Sequence, residues 1–597
     1  MPPAVDGADT AGSLVIGKGA SSMQGIIQQL RQAFEQAIRT ALGVEADPQV
    51  TASTSDKFGD YQANAAMSLA RELSAAGRKT SPRTVAEQIV GKLQLGGIAS
   101  EVSIAGPGFI NIRLSPDWLA ARLAEAAADK RLATWPAERP LRVVLDYSSP
   151  NVAKEMHVGH LRPTNIGDAL ARVIEFQGHD LIRQNHIGDW GTQFGMLVTY
   201  LRKIGAGAEA QLADLEAFYK AAKQQYDSDA AFAEESRRNV VRLQSGDGEI
   251  LALWRRIVDE SRRHYQAIYQ RMRIGLTPEH ERGESFYNPM LPDIVRELLQ
   301  KGVAVESDGA IVVFVEGFEA PLIIRKRDGG FGYGTTDLAA VRYRTRELRA
   351  QWLIYVTDAR QIQHFAQFFD AARRAGWTEG VRLDHVPFGT ILGPDGTPFK
   401  TKEGQSVKLK DLLDEAEQRA LLLVQRKTAE RSAPISAQEQ RAIAAAVGIG
   451  AIKYYDLARD RTRDYVFDWD AMLSMDGNTA PYLQYAYARI RSIFRKSGGE
   501  PPAGAAIVLP TPFEQALAKH ILRLGEIVDL VLRELKPHHL CTYLYDLATR
   551  FSAFYENCPV LDSAEPLRSS RLTLCDLTGR TLALGLDLLG IEHPEQM

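Results

Sequence analysis

The chain has 597 residues, more than one hydrophobic core supports, so we expect three or four domains. Its composition, 45% hydrophobic and 24% charged, is ordinary for a soluble globular protein. No apolar run reaches the ~18–20 residues that span a bilayer, which excludes a helical membrane protein. The formal net charge of −3 leaves nucleic-acid binding open, because basic patches can be local.

The first part of the chain separates into an extension and a small domain. Residues 1–22 are rich in Gly, Ala and Ser without periodicity, so we expect a disordered extension and no secretory signal. Apolar residues at helical spacing predict a helix from Gln24 to Leu42. An alternating stretch at 101–104 and the string GPGFINIRL at 106–114 predict strands. We therefore predict a small α+β domain over residues 23–115.

A second domain begins with a helix, for which Ser115 is a suitable N-cap and Pro116 a suitable first residue. The short apolar run at 141–145 predicts a buried parallel strand. A loop follows, then an amphipathic helix that ends at Gly178, then a second strand at 180–187. This β-loop-α-β unit predicts a Rossmann-like domain with a parallel sheet over residues 116–430.

The rest of the chain is predicted to be largely helical. Residues 202–270 have helical spacing and no strand signals, which predicts a helical insertion within the Rossmann-like domain. Strand signals return at 310–315, 322–324 and 352–356. From residue 431 to 597 the pattern predicts an all-α bundle. The expected fold is therefore a multidomain α/β protein.

The string HVGH lies where this fold binds nucleotides, in the turn between the first strand and its helix. His157 and His160 are three residues apart, so they project to one side, and the helix N-terminus favours phosphate. Gly159 has no Cβ, which lets a flat ring approach the backbone. An HxxH pair alone is weak evidence, and a zinc pair is the alternative, although zinc needs further ligands.

Several strings together resemble one family. HVGH resembles the HIGH signature of class I aminoacyl-tRNA synthetases, and SSPNVAKEMHVGHLR is similar to the version in arginyl-tRNA synthetases. GPGFIN, DWGTQFG, GYGTTDLAA and YLQYAYARIRSI match that family in the expected order. The resemblance implies that ATP and L-arginine form arginyl-adenylate with release of diphosphate, and that tRNA(Arg) then accepts arginine with release of AMP. It also implies Mg²⁺ with ATP, and we expect a monomer without a structural metal.

The resemblance also assigns a substrate site. It implies contacts to ATP from His157, Gly159, His160, Lys400 and Lys402. Paired carboxylates suit a planar, permanently charged guanidinium. The matched arginine-binding positions are Asp146, Asn151, Tyr333, Asp337 and Gln361, although the nearby Gln363 makes the register of Gln361 less certain. The alternative roles are a cap or turn for Asp146 and Asn151 and a solvated helix face for Asp337.

The second signature of class I synthetases, KMSKS, is absent here. The matching segment Pro398–Leu409 keeps Lys400, Lys402 and Gly404. In many arginyl enzymes a lysine before the HIGH string is thought to substitute, and Lys154 stands there. Lys154 and Lys402 are therefore rival catalytic lysines beside His157 and His160, and the alternative for Lys154 is a solvated loop residue.

The C-terminal bundle has local basic density. Arginines interleaved with tyrosines suit phosphate contacts and base stacking, and the family uses this region for the anticodon stem-loop. The alternative is a helical surface over core tyrosines. The resemblance further implies that the N-terminal domain contacts the tRNA elbow. The candidate RNA-binding residues are Arg459, Arg461, Arg463, Tyr485, Arg489, Arg491 and Arg495.

Other functions remain open from sequence alone. A catalytically inactive RNA-binding relative would not need intact HVGH, Asp146, Tyr333 and Asp337. A small-molecule nucleotidyltransferase with a HIGH string would not need the C-terminal bundle. A cysteinyl enzyme would need zinc-ligating cysteines, whereas Cys541, Cys558 and Cys575 form no CxxC pair. We expect these three thiols to be reduced and buried in a cytoplasmic protein.

Overall fold

The structure is a computed structural model that describes residues 25–53, 55–132, 134–205, 212–400, 406–429 and 435–597. The expected disordered extension, residues 1–22, lies outside the described residues, and so do Lys402 and Gly404. None of the described helices is long and apolar enough to cross a membrane.

The N-terminal domain is an antiparallel sheet in the order β1-β2-β4-β3, covered by helices. The apolar stripe of its first helix, including Leu30, Phe34 and Ile38, is fully buried. The three-residue strands β1 and β2 were not predicted, because they are too short for a visible alternation. The elements are α1 (Ile26–Leu42), β1 (Val50–Ala52), β2 (Tyr61–Ala63), α2 (Ala66–Ala75), α3 (Pro82–Val90), β3 (Ala99–Ala105) and β4 (Phe109–Leu114).

A linking helix and a four-stranded parallel sheet follow. Helix α4 (Pro116–Ala128) starts as predicted, with Trp118 N–H donating to Ser115 Oγ at 3.4 Å. The sheet has the order β11-β10-β5-β6, and Val143, Val144 and Leu145 at its centre are completely buried. Its elements are β5 (Arg142–Asp146), α5 (Leu161–Phe176), β6 (Asp180–Gln184), β10 (Trp352–Asp358) and β11 (Arg382–Phe388).

All four strands of this sheet are parallel, but the direction in which successive strands are added changes between β5 and β10. From β5 the chain crosses through α5 to β6 on one side, and it returns later to β10 on the other side. The connections leaving β5 and β10 therefore diverge and open a crevice at the carboxyl edge of the sheet. Strand β11 was not predicted, because Asp384, His385 and Pro387 interrupt its apolar pattern.

Between β6 and β10 the chain builds the expected helical insertion and a small antiparallel sheet. The insertion has its own apolar core, which includes Phe194, Phe218 and Ile257. The elements are α6 (Gln193–Ile204), α7 (Leu215–Ser228), α8 (Ala230–Gln244), α9 (Gly248–Arg271), α10 (Glu284–Tyr287), α11 (Leu291–Gln300), β7 (Val305–Ser307), β8 (Ala310–Val313), β9 (Leu322–Arg325) and α12 (Tyr333–Arg346). Helix α13 (Ile362–Arg374) follows β10 and leads to β11.

The C-terminal region is helical apart from a parallel pair, β12 (Ile391–Leu392) with β13 (Tyr465–Val466). Its apolar residues join one continuous hydrophobic cluster with those of the N-terminal domain and of α5. The fold class is therefore confirmed. The helices are α14 (Leu409–Ala429), α15 (Ala437–Leu457), α16 (Trp469–Met472), α17 (Ala480–Ser497), α18 (Pro512–Ile521), α19 (Leu524–Glu534), α20 (His538–Asn557) and α21 (Leu567–Leu588).

Gly195 allows α6 to pack closely on α8, because a Cβ there would clash with the Ser236 carbonyl and the Val240 side chain. We expect Gly195→Ala to destabilise the protein by about 1–3 kcal/mol through overpacking. The measurement is the midpoint of urea unfolding. Gly248→Ala in α9 is the matched control, since a Cβ at Gly248 meets nothing within 4 Å. Equal midpoints for the two variants would contradict the proposed close packing.

Candidate active site at the carboxyl edge of the parallel sheet

The loop after β5 has a strained backbone. Ser148, Ser149 and Ala153 have φ values of +78°, +50° and +62°, in the left-handed region that residues with a Cβ rarely adopt. Each such residue costs about 1–3 kcal/mol and persists only where its surroundings enforce it. This concentration of strain next to the crevice marks the loop as a functional candidate.

Hydrogen bonds from three directions hold the strained loop. Ser148 Oγ lies 2.7 Å from Thr164 Oγ1 on α5 and 2.6 Å from Tyr269 OH on α9. Ser149 N–H donates to Asn185 Oδ1 at 2.9 Å, and Ala153 N–H donates to Ser261 Oγ at 2.9 Å. The helical insertion therefore helps to shape the site, through Tyr269 and Ser261.

The HVGH string forms a tight turn just before α5. Gly159 N–H donates to His157 Nδ1 at 3.0 Å, and His157 N–H donates to His160 Nδ1 at 3.2 Å. Burial and the nearby Lys154 charge lower the pKa of His157, and burial and then His157 lower the pKa of His160 to about 3. Both rings are therefore neutral at pH 7 with the proton on Nε2, and each has Nε2–H as its remaining donor.

Gly159 is required by the geometry of this turn. A Cβ at Gly159 would lie 2.7 Å from Cε1 and 2.9 Å from Nδ1 of His157. The flat ring that approaches this backbone is thus the His157 imidazole itself. Gly159 is exposed, so its outer side is also open to a ligand.

The segment that replaces KMSKS is attached to the HVGH turn. Val158 N–H donates to the Val407 carbonyl at 2.9 Å, and Leu409 N–H donates to the Met156 carbonyl at 2.8 Å. Lys400 pairs with Ser406 in an antiparallel bridge. Residues 407–409 therefore lie next to the histidine turn, and Lys400 is bridged to Ser406 just before them.

Lys154 is exposed, and its ammonium lies 5.0 Å from the centre of the Tyr219 ring on α7. Next to it, Lys408 Nζ lies 2.5 Å from Glu155 and 3.0 Å from Glu216, which is also on α7. The insertion therefore contacts both lysine-bearing segments. Of Lys154 and Lys408, Lys408 contacts two carboxylates, whereas Lys154 contacts none among the described residues.

The structure gives Asp146 a protein partner that sequence reasoning missed. Arg344 on α12 is completely buried and donates to Asp146 Oδ2 at 2.6 Å and to Gln184 Oε1 at 2.6 Å. His186 N–H donates to the other carboxylate oxygen of Asp146 at 3.3 Å. Burial acts to lower the pKa of Arg344, but the charge of Asp146 holds it well above its usual value. Asp146 thus already binds one guanidinium.

Asp337 lies in the first turns of α12, one turn after Tyr333, and is half-buried. Its Oδ2 lies 2.5 Å from His364 Nε2 on α13. Burial alone would lower the pKa of His364, but the hydrogen bond and the charge of Asp337 raise it above its ordinary 6.5. Tyr333 is 78% exposed, and Gln361, just before α13, is exposed. Asp337 thus already has one partner, His364, and the exposed Tyr333 precedes it by one helical turn.

Glu284 is a third carboxylate of this site, and no sequence signal singled it out. Burial, Asp189 and Asp337 raise the pKa of Glu284 to about 7. The DWGTQFG string explains its position, because Asp189 accepts hydrogen bonds from Ser285 N–H at 2.9 Å and from Ser285 Oγ at 2.6 Å. Asp189 thereby fixes the start of α10, which carries Glu284. Asn151, exposed in the strained loop, pairs with Gly188 just before Asp189.

The candidate RNA-binding residues differ in accessibility. Arg461 is buried and donates to the carbonyls of Leu535 at 2.8 Å and Pro387 at 2.7 Å, so its guanidinium binds protein instead of facing solvent. Arg463, Tyr485 and Arg495 are exposed, whereas Arg459, Arg489 and Arg491 are half-buried. Of the seven candidate RNA contacts, Arg461 is therefore the one whose side chain is buried against protein.

Two of the half-buried arginines stack on tyrosines. The guanidinium of Arg459 lies 3.3 Å from the ring centre of Tyr455, and that of Arg489 lies 4.5 Å from the ring centre of Tyr555.

Among the described residues, no group of three or more His, Cys, Asp or Glu side chains has the arrangement of a metal site.

Comparisons with known proteins agree with this geometry. Residues 123–469 match the family model "tRNA synthetases class I (R), catalytic domain", residues 483–597 match "DALR anticodon binding domain", and residues 28–114 match "Arginyl tRNA synthetase N terminal domain". An arginine–tRNA ligase of Chromobacterium violaceum is 50% identical over 581 residues, covering 96% of this chain and 100% of that protein.

Solved structures agree as well. The arginyl-tRNA synthetase of Plasmodium falciparum superposes with a TM-score of 0.84 at 33% identity, covering 97% of this chain and 100% of that one. The structure from Thermus thermophilus gives a TM-score of 0.80 at 28% identity, with coverages of 96% and 100%.

The parallel sheet, its reversal point and the HVGH turn there are those of a class I aminoacyl-tRNA synthetase catalytic domain. The identity and coverage of these relatives narrow the class to one family. The chain belongs to the arginyl-tRNA synthetase family, which attaches arginine to tRNA with ATP through an adenylate.

The charge around Asp337, His364 and Glu284 depends on pH. Below its raised pKa, His364 is a cation that competes for Asp337, and Glu284 becomes neutral below about pH 7. We therefore expect the KM for arginine to rise several-fold from about pH 8 to about pH 6. The KM for ATP should change less over this range, because burial lowers the pKa of both His157 and His160, that of His160 to about 3.

Steady-state kinetics at each pH check this expectation. In His364→Asn the rise in the arginine KM should be smaller, because only Glu284 still titrates. A wild-type arginine KM that is independent of pH would rule out this charge balance.

Proposed function

We propose that this chain performs the family's reaction in the crevice above β5 and β10, with the HVGH turn binding the phosphates of ATP. The observation that carries the proposal is that His157 and His160 are both neutral with a free Nε2–H, at the start of α5. Two neutral donors and a helix N-terminus bind a polyphosphate without adding a buried charge that must be neutralised when diphosphate leaves.

In the proposed first step, the arginine carboxylate attacks the α-phosphate of ATP, forming arginyl-adenylate and releasing diphosphate. The chain's contribution is orientation and charge stabilisation, since no covalent intermediate with the protein is needed. Asn151, exposed in the strained loop, is proposed to hold the amino-acid end of arginine. Mg²⁺ is proposed to enter with ATP, whose phosphate oxygens supply its ligands.

The guanidinium of the substrate is proposed to bind Asp337, with Glu284 adding negative charge, Tyr333 a ring face and Gln361 an amide. Asp337 and Glu284 are half-buried and form no ion pair with an arginine among the described residues, whereas Asp146 already binds Arg344. Asp146 is therefore proposed to lie at the bottom of the arginine site, where the hydrogen bond from Arg344 fixes the orientation of its carboxylate. This assignment keeps all five predicted residues in one site but changes the role of Asp146.

For the second step we propose that tRNA(Arg) binds along the C-terminal helices, with Arg463, Tyr485 and Arg495 as accessible contacts and Arg459, Arg489 and Arg491 as partly accessible ones. The N-terminal domain is proposed to contact the tRNA elbow. We further propose that the enzyme is a monomer. We also propose a cytoplasmic location, because Cys541, Cys558 and Cys575 are buried free thiols of the kind that a reducing compartment preserves.

An ATP–diphosphate exchange assay with each of the standard amino acids, with and without tRNA, tests the function directly. Arginine should be the only amino acid that supports exchange, and labelled arginine should become attached to tRNA(Arg). Exchange with another amino acid, or none with arginine, would refute the proposal.

Lys154 is proposed as the catalytic lysine that follows the diphosphate as negative charge develops on it, since a flexible ammonium suits that task. We expect Lys154→Ala to lower the single-turnover rate of adenylate formation at least tenfold, about 1.4 kcal/mol of barrier. Lys410→Ala is the matched control, because exposed Lys410 pairs only with Asp414 on its own helix. If Lys402→Ala alone is damaging, the loop lysine has this role instead, and Lys400 remains a proposed ATP contact.

Arg461 and Arg463 are separated by one residue but differ in exposure, which makes them a matched pair. We expect Arg463→Gln to weaken tRNA binding severalfold and to reduce the salt dependence of the affinity by about one counterion, with an unchanged melting temperature. Arg461→Gln should lower the melting temperature, because it leaves buried carbonyls unpaired. Filter binding at several salt concentrations and thermal melts check both, and the reverse pattern would show that the exposed side chain is not the RNA contact.

A further inference from the structure

Helix α5 has a polar face that is buried against the C-terminal region. Arg162, Asn165 and Asp168 are at most 1% exposed, and the half-buried Arg172 continues the same face. Polar groups buried along a helix need partners of matching charge and geometry. Arg162 and Asn165 find their partners on α15 and in the segment after it, and Arg172 donates to the Asp587 carbonyl near the end of the chain, so polar contacts bind the helix after the HVGH turn to the C-terminal helices.

The first of these contacts is the most specific. Arg162 Nε donates to Asp456 Oδ1 on α15 at 2.9 Å, with side chains that are 1% and 0% exposed. Arg162 Nη1 donates to the Arg463 carbonyl at 3.0 Å. Asn165 Nδ2 donates to Asp456 Oδ2 at 3.1 Å and to the Lys453 carbonyl at 2.9 Å. One guanidinium thus connects α5 to both α15 and the segment after it.

This contact is not optimised for stability alone. Arg162 Nη2 and Asn165 Oδ1 are buried and have no hydrogen-bond partner among the described residues. Leaving buried polar atoms unpaired is unfavourable, and native structures contain few such atoms. The planar fork of the guanidinium also fixes the angle between Asp456 and the Arg463 carbonyl, so a shift of either partner must move Arg162.

The position of the contact gives it a consequence for catalysis. Arg162 is two residues after His160 in the same turn and helix. Its acceptor, the Arg463 carbonyl, belongs to segment 459–463, which contains Arg459 and Arg463 among the proposed RNA contacts. A single hydrogen bond therefore separates the proposed RNA-binding segment from the helix turn that carries the ATP-binding histidines.

We propose that Arg162 is a positioning residue that couples the conformation of segment 459–463 to the placement of His157 and His160. This inference rests on the proposed function, because it uses the RNA contacts and ATP-binding histidines assigned there. Binding of tRNA at the segment sets the position of the Arg463 carbonyl, and Arg162 and Asp456 transfer that position to the start of α5. The role predicts an effect on kcat with little effect on substrate binding.

A second buried ion pair provides a matched control. Arg571 Nε donates to Glu514 Oε1 at 2.8 Å, with side chains that are 8% and 0% exposed. This pair joins α18 to α21, and the hydrogen bonds of Arg571 go to Glu514, Pro559 and Ser563, which all lie outside α5. Asp456→Asn and Glu514→Gln each replace a buried carboxylate by its isosteric amide, so both should lower the melting temperature.

The experiment measures arginine transfer to tRNA with the full chain, as kcat and KM for tRNA and for ATP, together with the melting temperature of each variant. We expect Asp456→Asn to lower kcat at least tenfold with both KM values within threefold of the wild type. Glu514→Gln should keep a wild-type kcat at a temperature where both variants are folded. A wild-type kcat in Asp456→Asn, or equal losses of kcat in both variants, would overturn the inference.

Hydrogen–deuterium exchange on the wild-type chain covers the case in which a variant does not fold. Adding tRNA should change the exchange of backbone amides at 157–165 and at 456–463, but not at 571–578 in α21. Unchanged exchange at 157–165 on saturation with tRNA would also overturn the coupling. Failure of the proposed function is distinguishable, because then the wild-type chain would not attach arginine to tRNA at all.

Discussion

The buried ion pair between Arg344 and Asp146 is the interaction on which the site depends most. Arg344 comes from α12, Asp146 ends β5, and Gln184, the second acceptor of Arg344, ends β6. The guanidinium also lies 4.9 Å from the centre of the Tyr355 ring on β10. Three neighbouring strands and the helix that carries Asp337 are thus fixed to one cation. Removing either charge would leave the other buried and unpaired, which typically costs about 3–5 kcal/mol.

This ion pair also determines what the crevice can bind. Because Arg344 neutralises Asp146, the remaining negative charge of the site comes from Asp337 and the partly protonated Glu284. In the proposed binding mode, a substrate guanidinium would therefore meet the carboxylates of Asp337 and Glu284, while the histidine turn across the reversal point remains uncharged. The separation of an acidic half from a neutral, donor-rich half matches a cationic amino acid and an anionic nucleotide.

Much of this arrangement could be predicted from local patterns. The apolar run of β5, the Ser115 cap and the HVGH turn each depend on neighbouring residues only, and each is found where the pattern placed it. Arg344 could not be predicted, because in YRTREL it has the pattern of a solvated helix face. Glu284 lies in a four-residue helix whose position depends on Asp189, far away in sequence. Strand β11 is interrupted by polar residues that pair across the sheet.

The same limit applies to the RNA-binding side. Arg461 and Arg463 are equivalent in composition and spacing, and only the packing of strand end 387 and residue 535 around Arg461 distinguishes them. Sequence thus located the basic segment, whereas burial determined which of its guanidinium groups is available to a phosphate. The seven predicted side chains could not be sorted by charge alone.

The three cysteines have a consequence for chemical labelling. Cys541, Cys558 and Cys575 are each 0% exposed, and burial raises the pKa of the Cys541 and Cys575 thiols. Because the thiolate is the reactive form, the folded chain resists alkylation and disulfide exchange at all three positions. All three lie in the C-terminal helices, so any modification by a thiol reagent reports the opening of that region. The native sequence therefore contains a reporter of local unfolding in the part of the protein that matches the DALR anticodon binding domain.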